Sequence, residues 1–218
     1  ETKTDYARNM VTGFLRLNGM TIGAVANSSV VFDENGEKTE SFEKGLTARG
    51  CNKAAEFIQF CDAFDIPILS LTAVEGFAAS ACSEKNLAKA MAHMTAAFAA
   101  ATVPKVNIII GNAYGSASVM MNSKSIGADL VYAWEGSRIG MMDAALAAKI
   151  MYEDKGSEII AQQAKEYEAL QNSVLTAARR GLVDLIISPA DTRKYAVAAF
   201  EMLYTKGVGE PTKKHAAK

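Results

Sequence analysis

Val106-Asn107-Ile108-Ile109-Ile110-Gly111-Asn112-Ala113-Tyr114-Gly115-Ser116-Ala117 is the stretch on which the fold turns. Residues 106–110 are continuous and mostly β-branched, as suits a parallel strand covered by helices on both faces. Small residues follow, and a helical pattern begins beyond them. A turn of that kind aims successive backbone N–H groups outward, and the helix adds the positive end of its dipole. Two readings of residues 111–117 stand side by side. The turn either needs small residues only for packing, or cradles an oxyanion with donors worth roughly 2.7–4 kcal/mol each in a transition state.

Working outward, residues 67–71 read as a second buried strand and residues 83–102 as an Ala- and Met-rich helix with Glu84 near its positive end. Ala54, Phe57, Ile58, Cys61 and Phe64 recur at helical spacing, with Asn52 as a candidate cap. Residues 11–17 and 21–27 look like strands, and Asn35-Gly36 after Val30-Val31-Phe32 suggests a β-hairpin. Downstream, residues 130–134 and 138–142 read as short strands. Residues 157–180 read as one helix presenting Ile160, Ala164, Tyr167, Leu170, Val174 and Ala178, closed by Gly181. A strand over residues 182–187 precedes Ser188-Pro189-Ala190-Asp191, which offers an N-cap, an N1 proline and an acid at N3 for the last helix. The tail 205–218 is polar and basic and is expected to fray. Strands alternating with helices predict an α/β fold of βαβ units with a largely parallel sheet, as one domain spanning residues 1–218.

Composition narrows the function classes. Lys plus Arg is 23 and Asp plus Glu is 24, so no charge excess points to nucleic acid or an anionic membrane. The longest apolar run, residues 90–103, is interrupted by His93 and Thr95, stops at Pro104 and is too short to cross a bilayer. Cys51, Cys61 and Cys82 lack CxxC spacing and read as reduced, mostly buried thiols of a cytoplasmic protein. With only His93 and His215, a histidine-rich metal site is not expected. The chain opens at Glu1 without a signal pattern and is expected to be part of a longer protein.

Neither GxGxxG nor GxxxxGK[ST] spacing occurs, which weakens dinucleotide and P-loop readings. Ser116 lacks a GxSxG elbow and an evident histidine base, so a serine hydrolase is disfavoured. Glu75, in the loop 73–77, is either an acid or base or a solvated carboxylate. Trp134, His93 and the methionines read as packing residues.

The residues from Lys53-Ala54-Ala55-Glu56-Phe57-Ile58 through Cys61-Asp62-Ala63-Phe64-Asp65-Ile66-Pro67 resemble the KAARFI-x-x-CDAF-x-IP segment of the biotin-dependent acyl-CoA carboxyltransferases. Similar segments follow in the same order: Ala101-Thr102-Val103-Pro104-Lys105, Ala113-Tyr114-Gly115-Ser116-Ala117, Ser123-Lys124, Gly127-Ala128-Asp129 and Tyr132-Ala133-Trp134. Ser188-Pro189-Ala190-Asp191-Thr192-Arg193-Lys194 and Lys213-Lys214-His215 complete the series, which runs over residues 21–215. The resemblance implies a crotonase (ClpP/crotonase-like) fold and, more narrowly, the second of the two such domains that build these subunits. In that family the second domain receives carboxybiotin, the first holds the acyl-CoA, and the active site forms between the N-domain of one subunit and the C-domain of its partner. The implied reaction moves a carboxylate between biotin N1 and the α-carbon of an acyl-CoA. The implied partners are a biotin carboxyl carrier protein or domain, an N-terminal carboxyltransferase domain, and further copies in a dimer or trimer of dimers. The resemblance assigns oxyanion donation to the backbone N–H groups of Ser116 and Ala117. It places biotin beside Gly76, Phe77, Gly115, Met142 and Asp143, with no metal.

The departures matter as much. The second glycine of the family's AYGGA is Ser116, whose amide serves only if φ stays negative. DVPGF reads Ala73-Val74-Glu75-Gly76-Phe77, and the PG that follows it is replaced by Ala78-Ala79-Ser80. GIIRHG gives way to Asn86-Leu87-Ala88-Lys89-Ala90-Met91, and IAVMGA reads Ile139-Gly140-Met141-Met142-Asp143-Ala144. These changes leave two alternatives open: a structural or regulatory subunit without catalysis, or an enoyl-CoA hydratase or isomerase using Glu75 or Asp143. Carboxyl transfer requires the amides near Tyr114 to be uncapped and facing a pocket that Asp143 does not plug.

Overall fold

In the hairpin that opens the chain, β1 (Met10–Leu17) pairs antiparallel with β2 (Met20–Asn27) from Met10↔Asn27 to Leu17↔Met20. The structure, a computed structural model, describes residues 1–207 apart from the side chains of Ala81 and Cys82. The thiol expected at Cys82, the Lys213-Lys214-His215 segment and the tail beyond Gly207 therefore lie outside the described residues.

The expected excursion around Asn35-Gly36 is an antiparallel pair, β3 (Val30–Phe32) and β4 (Lys38–Ser41). Asp33 Oδ1 accepts from Asn35 N at 2.9 Å and Glu37 N at 2.7 Å, and Gly36 takes φ +81°. After β5 (Gly45–Leu46), α1 (Ala48–Ala63) begins four residues ahead of the expected cap, because Thr47 Oγ1 accepts from Gly50 N at 3.0 Å. Asn52 lies inside that helix. Next come β6 (Ile68–Thr72), β7 (Gly76–Phe77), α2 (Ala81–Ala100), β8 (Lys105–Ile109), β9 (Asn112–Tyr114) and α3 (Gly115–Met120). Ser80 caps α2, with Glu84 in its first turn as expected.

β10 (Leu130–Trp134) matches its expected bounds, whereas β11 (Arg138–Gly140) stops two residues short. The sequence reading assigned nothing to α4 (Ala144–Met151), which starts where Asp143 Oδ1 accepts from Ala145 N and Leu146 N. The helix expected over residues 157–180 is broken. α5 (Ser157–Tyr167) runs into a π-turn over Glu168–Asn172, and Ser173 takes extended backbone before α6 (Val174–Arg179). The Ser173 hydroxyl caps α6 through Thr176 N at 3.2 Å, so an apolar periodicity that reads as continuous spans two helices. β12 (Leu185–Ile187) follows, then a 3₁₀ turn over Pro189–Asp191 and α7 (Thr192–Met202); the Ser188 side chain makes no cap bond.

The main sheet has the order β1-β2-β6-β8-β10-β12, parallel from β2 onward. One core cluster joins α1 and α2 through Phe57, Ile58, Met94 and Phe98 and takes Ala117 and Met121 from the α3 segment. A second joins Leu69, Val106 and Ile108 to Phe200 of α7. A third gathers Ile109, Val131, Ile139 and Val174 beneath β11. Alternate strand residues feed different clusters because successive side chains point to opposite faces.

Candidate active site

The turn after β8 is fixed by the loop that leaves β6. Ile110 N donates to Thr72 O at 2.9 Å and Tyr114 N to Val74 O at 2.9 Å. Asn27 grips the same loop from β2, donating to Ala73 O at 2.6 Å and accepting from Ala73 N at 2.9 Å. A Cβ on Gly111 would lie 3.1 Å from Ala73 Cβ, so a larger residue there forces the loop to shift. β9 lies parallel to β11 with Tyr114 opposite Gly140. Gly115 then turns the chain into α3 at φ +60°, a left-handed conformation in which glycine carries no Cβ penalty. Ser116 is not among the positive-φ residues, so its serine side chain incurs no left-handed backbone penalty. The first-turn amides of Gly115, Ser116 and Ala117 precede any i−4 carbonyl of α3, and Tyr114 offers them no side-chain cap.

A cavity of about 390 Å³ opens beside this turn. Its walls include Ile109, Val119, Val131, Ile139 and Leu182, and Lys124, Arg180 and Asn107 add polar groups. Asp184 holds Lys124 at 2.6 Å through both carboxylate oxygens and accepts from Val131 N at 2.8 Å. Beneath α3, Asn107 Oδ1 accepts from Thr72 Oγ1 at 2.8 Å, and Asn122 Nδ2 donates to Ser70 Oγ at 2.8 Å. Thr72 Oγ1 also lies 3.3 Å from Met121 O, which ties the end of α3 to the central strands.

Only some of the residues singled out from the sequence reach the cavity. Gly115 and Ser116 line the cavity together with Met141. Ala117 is buried in the first core cluster, and Phe77 packs against that cluster. Gly76 borders open space rather than the cavity lining. Met142 and Asp143 do not line the cavity: Met142 O accepts from Asn172 Nδ2 at 2.9 Å, and Asp143 caps α4. Glu75 is held by Lys44 at 2.9 Å and by Asn112 at 2.8 Å, which makes it a paired loop carboxylate. His93 lies between α1 and α2, with Nδ1 3.4 Å from Asn52 Oδ1, and Trp134 Nε1 donates to Thr192 Oγ1 at 2.8 Å. Burial, and secondarily the Asp143 charge, raise the Tyr114 phenol above its ordinary range. Among the described residues no group of His, Cys, Asp and Glu is placed to hold a metal, and no helix is long and apolar enough to cross a membrane. Asn107 and Asn172 escaped the sequence reading. An asparagine inside a β-branched strand was a visible signal for the first; nothing local marked the second.

The carboxyl transferase domain model matches residues 1–217. The chain belongs to the carboxyl transferase domain family. It is 37% identical to the methylmalonyl-CoA carboxyltransferase 12S subunit of Propionibacterium freudenreichii subsp. shermanii over 99% of this chain and 40% of that protein. It is 40% identical to the propionyl-CoA carboxylase beta chain of Cereibacter sphaeroides over 99% of this chain and 41% of that one. A solved transcarboxylase 12S structure, described as a hexamer assembly with methylmalonyl-coenzyme A and methylmalonic acid bound, superposes with a TM-score of 0.88 at 38% identity. That superposition covers 98% of this chain and 40% of the other. The carboxyl transferase domain therefore has the crotonase fold that the motifs implied, and it spans about two fifths of the length of these relatives.

Proposed function

We propose that this chain is the carboxybiotin-receiving, C-terminal crotonase-like domain of a biotin-dependent acyl-CoA carboxyltransferase or decarboxylase subunit, and part of a longer protein. The observation that carries the reading is the start of α3, where Gly115 at φ +60° turns the chain into the helix, Tyr114 makes no side-chain cap bond, and Gly115 and Ser116 line a cavity of about 390 Å³. That volume is in the range of small-ligand sites. Donors that need no rearrangement suit a group whose oxygen gains charge as it reacts.

Biotin, carried on a partner protein or domain, would supply the carboxyl group and a ureido oxygen able to carry negative charge. The Ser116 and Ala117 N–H groups hold that oxygen, and Gly115 and Met141 set the contact surface. Gly76, Phe77, Met142 and Asp143 act around the site, Asp143 by fixing the start of α4. No side-chain nucleophile is required. An N-terminal carboxyltransferase domain would hold the acyl-CoA, with subunits assembled as a dimer or trimer of dimers in the cytoplasm. The hydratase reading loses support because Glu75 is tied to Lys44 and Asn112. The capping role of Asp143 likewise leaves the cavity unplugged.

The test compares Ser116→Pro, which deletes the amide, with Ser116→Ala, which keeps it, in the full-length subunit. Proline is tolerated in the first turn of a helix. Carboxyl transfer from free carboxybiotin to propionyl-CoA should fall about 10²–10³-fold in the proline variant relative to the alanine variant. Equal rates in the two would overturn the reading.

A further inference from the structure

Asn172, the last residue of the π-turn between α5 and α6, is fully buried. Its Nδ2 donates to Met142 O at 2.9 Å. Its Oδ1 is buried and has no hydrogen-bond partner among the described residues. That oxygen fills the space over Gly140, where an added Cβ would lie 2.0 Å from it. Gly140 pairs with Tyr114 across β11 and β9, and the next carbonyl, Met141 O, would lie 3.1 Å from a Cβ on Gly115. One side chain thus sets the path of residues 140–142, against which the amide turn rests.

A buried acceptor left unpaired costs free energy that an apolar residue would not incur, so packing alone does not account for an asparagine here. π-turns occur often at functional sites, and this one ends at Asn172, one residue before Ser173 caps α6, whose Ala177 borders the cavity. We propose that Asn172 is a positioning residue for the oxyanion-binding turn: through Gly140 and Met142 it holds the Gly115, Ser116 and Ala117 amides in the orientation that receives a ligand oxygen. The inference rests on the function proposed above and deepens it.

The test uses isotope-labelled full-length chain and the amide resonances of Gly115, Ser116 and Ala117, titrated with D-biotin. Asn172→Asp keeps the shape but replaces the donor facing Met142 O with an oxygen; Asn172→Ser is a milder variant too short to reach. Both should displace the three resonances in the free protein more than those of residues remote from the turn, and weaken the biotin-dependent shift about tenfold, the scale of one lost hydrogen bond. A merely structural residue would lower the thermal midpoint and leave those resonances in place, which overturns the proposal. Loss of folding in both variants overturns it too, since Asn172 would then be a folding determinant. If wild type shows no biotin-dependent shift while both variants still displace the amides, positioning stands and the carboxyl-transfer reading falls.

Discussion

Gly115 and Ser116 adjoin in sequence but face opposite constraints. Gly115 sits at φ +60°, with Met141 O only 3.1 Å from where a Cβ would be, so both backbone and contact argue against any side chain. Gly115→Ala should lower the unfolding free energy by about 1–3 kcal/mol and reduce carboxyl transfer, read by urea denaturation and by exchange assay. Ser116→Gly should change stability by less than about 1 kcal/mol, because at negative φ the serine incurs no left-handed penalty. The family pattern holds two glycines at this turn, and the structure shows that the retained one is the one the backbone needs. A single sequence could show that Ser116 departs from the pattern, but not which glycine carries the positive φ. Asn172 was equally hidden, since its meaning lies in contacts with residues about thirty positions away.

The elements were legible where periodicity was strong and misread where a cap decided the boundary. β10 kept its expected bounds and β2, β6 and β8 theirs to within one residue, whereas β12 keeps only Leu185–Ile187 of the strand expected over residues 182–187. α1 shifted because Thr47, rather than Asn52, accepts the first orphan amide. Thr47→Ala should therefore destabilise the protein by about 1 kcal/mol in urea denaturation, while Asn52→Ala should cost less than half as much. The helix expected over residues 157–180 failed for the same reason. Ser173, a strong capping residue within an apolar repeat, starts a new helix, and its hydroxyl bonds Thr176 N. Ser173→Ala should cost about 1 kcal/mol and lower helical circular dichroism. α4 was missed because its small, apolar composition lacks a polar face to give it a period.

At the scale of the whole molecule, the buried thiols tie stability to pH. Burial pushes Cys51 up to about 12, and Cys61, with Asp62 nearby, up to about 12 as well. Each thiol has its protonated form favoured by folding. The stability it contributes is present below the ordinary value of 9.0 and lost as pH rises toward the folded value. Lys53 runs the other way, because burial lowers its value and favours the neutral amine. A comparison with Cys61→Ala isolates the thiol. The stability advantage of wild type over that variant, measured by urea unfolding, should shrink steadily above about pH 9. Site-resolved alkylation should leave Cys51 and Cys61 unmodified until the protein unfolds, since both are fully buried.

Local sequence patterns were enough to fix the alternation of strands and helices, the parallel sheet and the turn of small residues between β8 and α3. Those depend on local periodicity and on conformational preferences that neighbouring residues carry. Tertiary structure alone decided that Gly115 and Ser116 share a cavity with Arg180, that Ala117 and Phe77 turn instead to the core, and that Asp143 caps a helix. It also decided that Asn172 reaches Met142. These placements depend on the register between β9 and β11 and on a π-turn, which bring together chain segments far apart in sequence with no local signal to announce it.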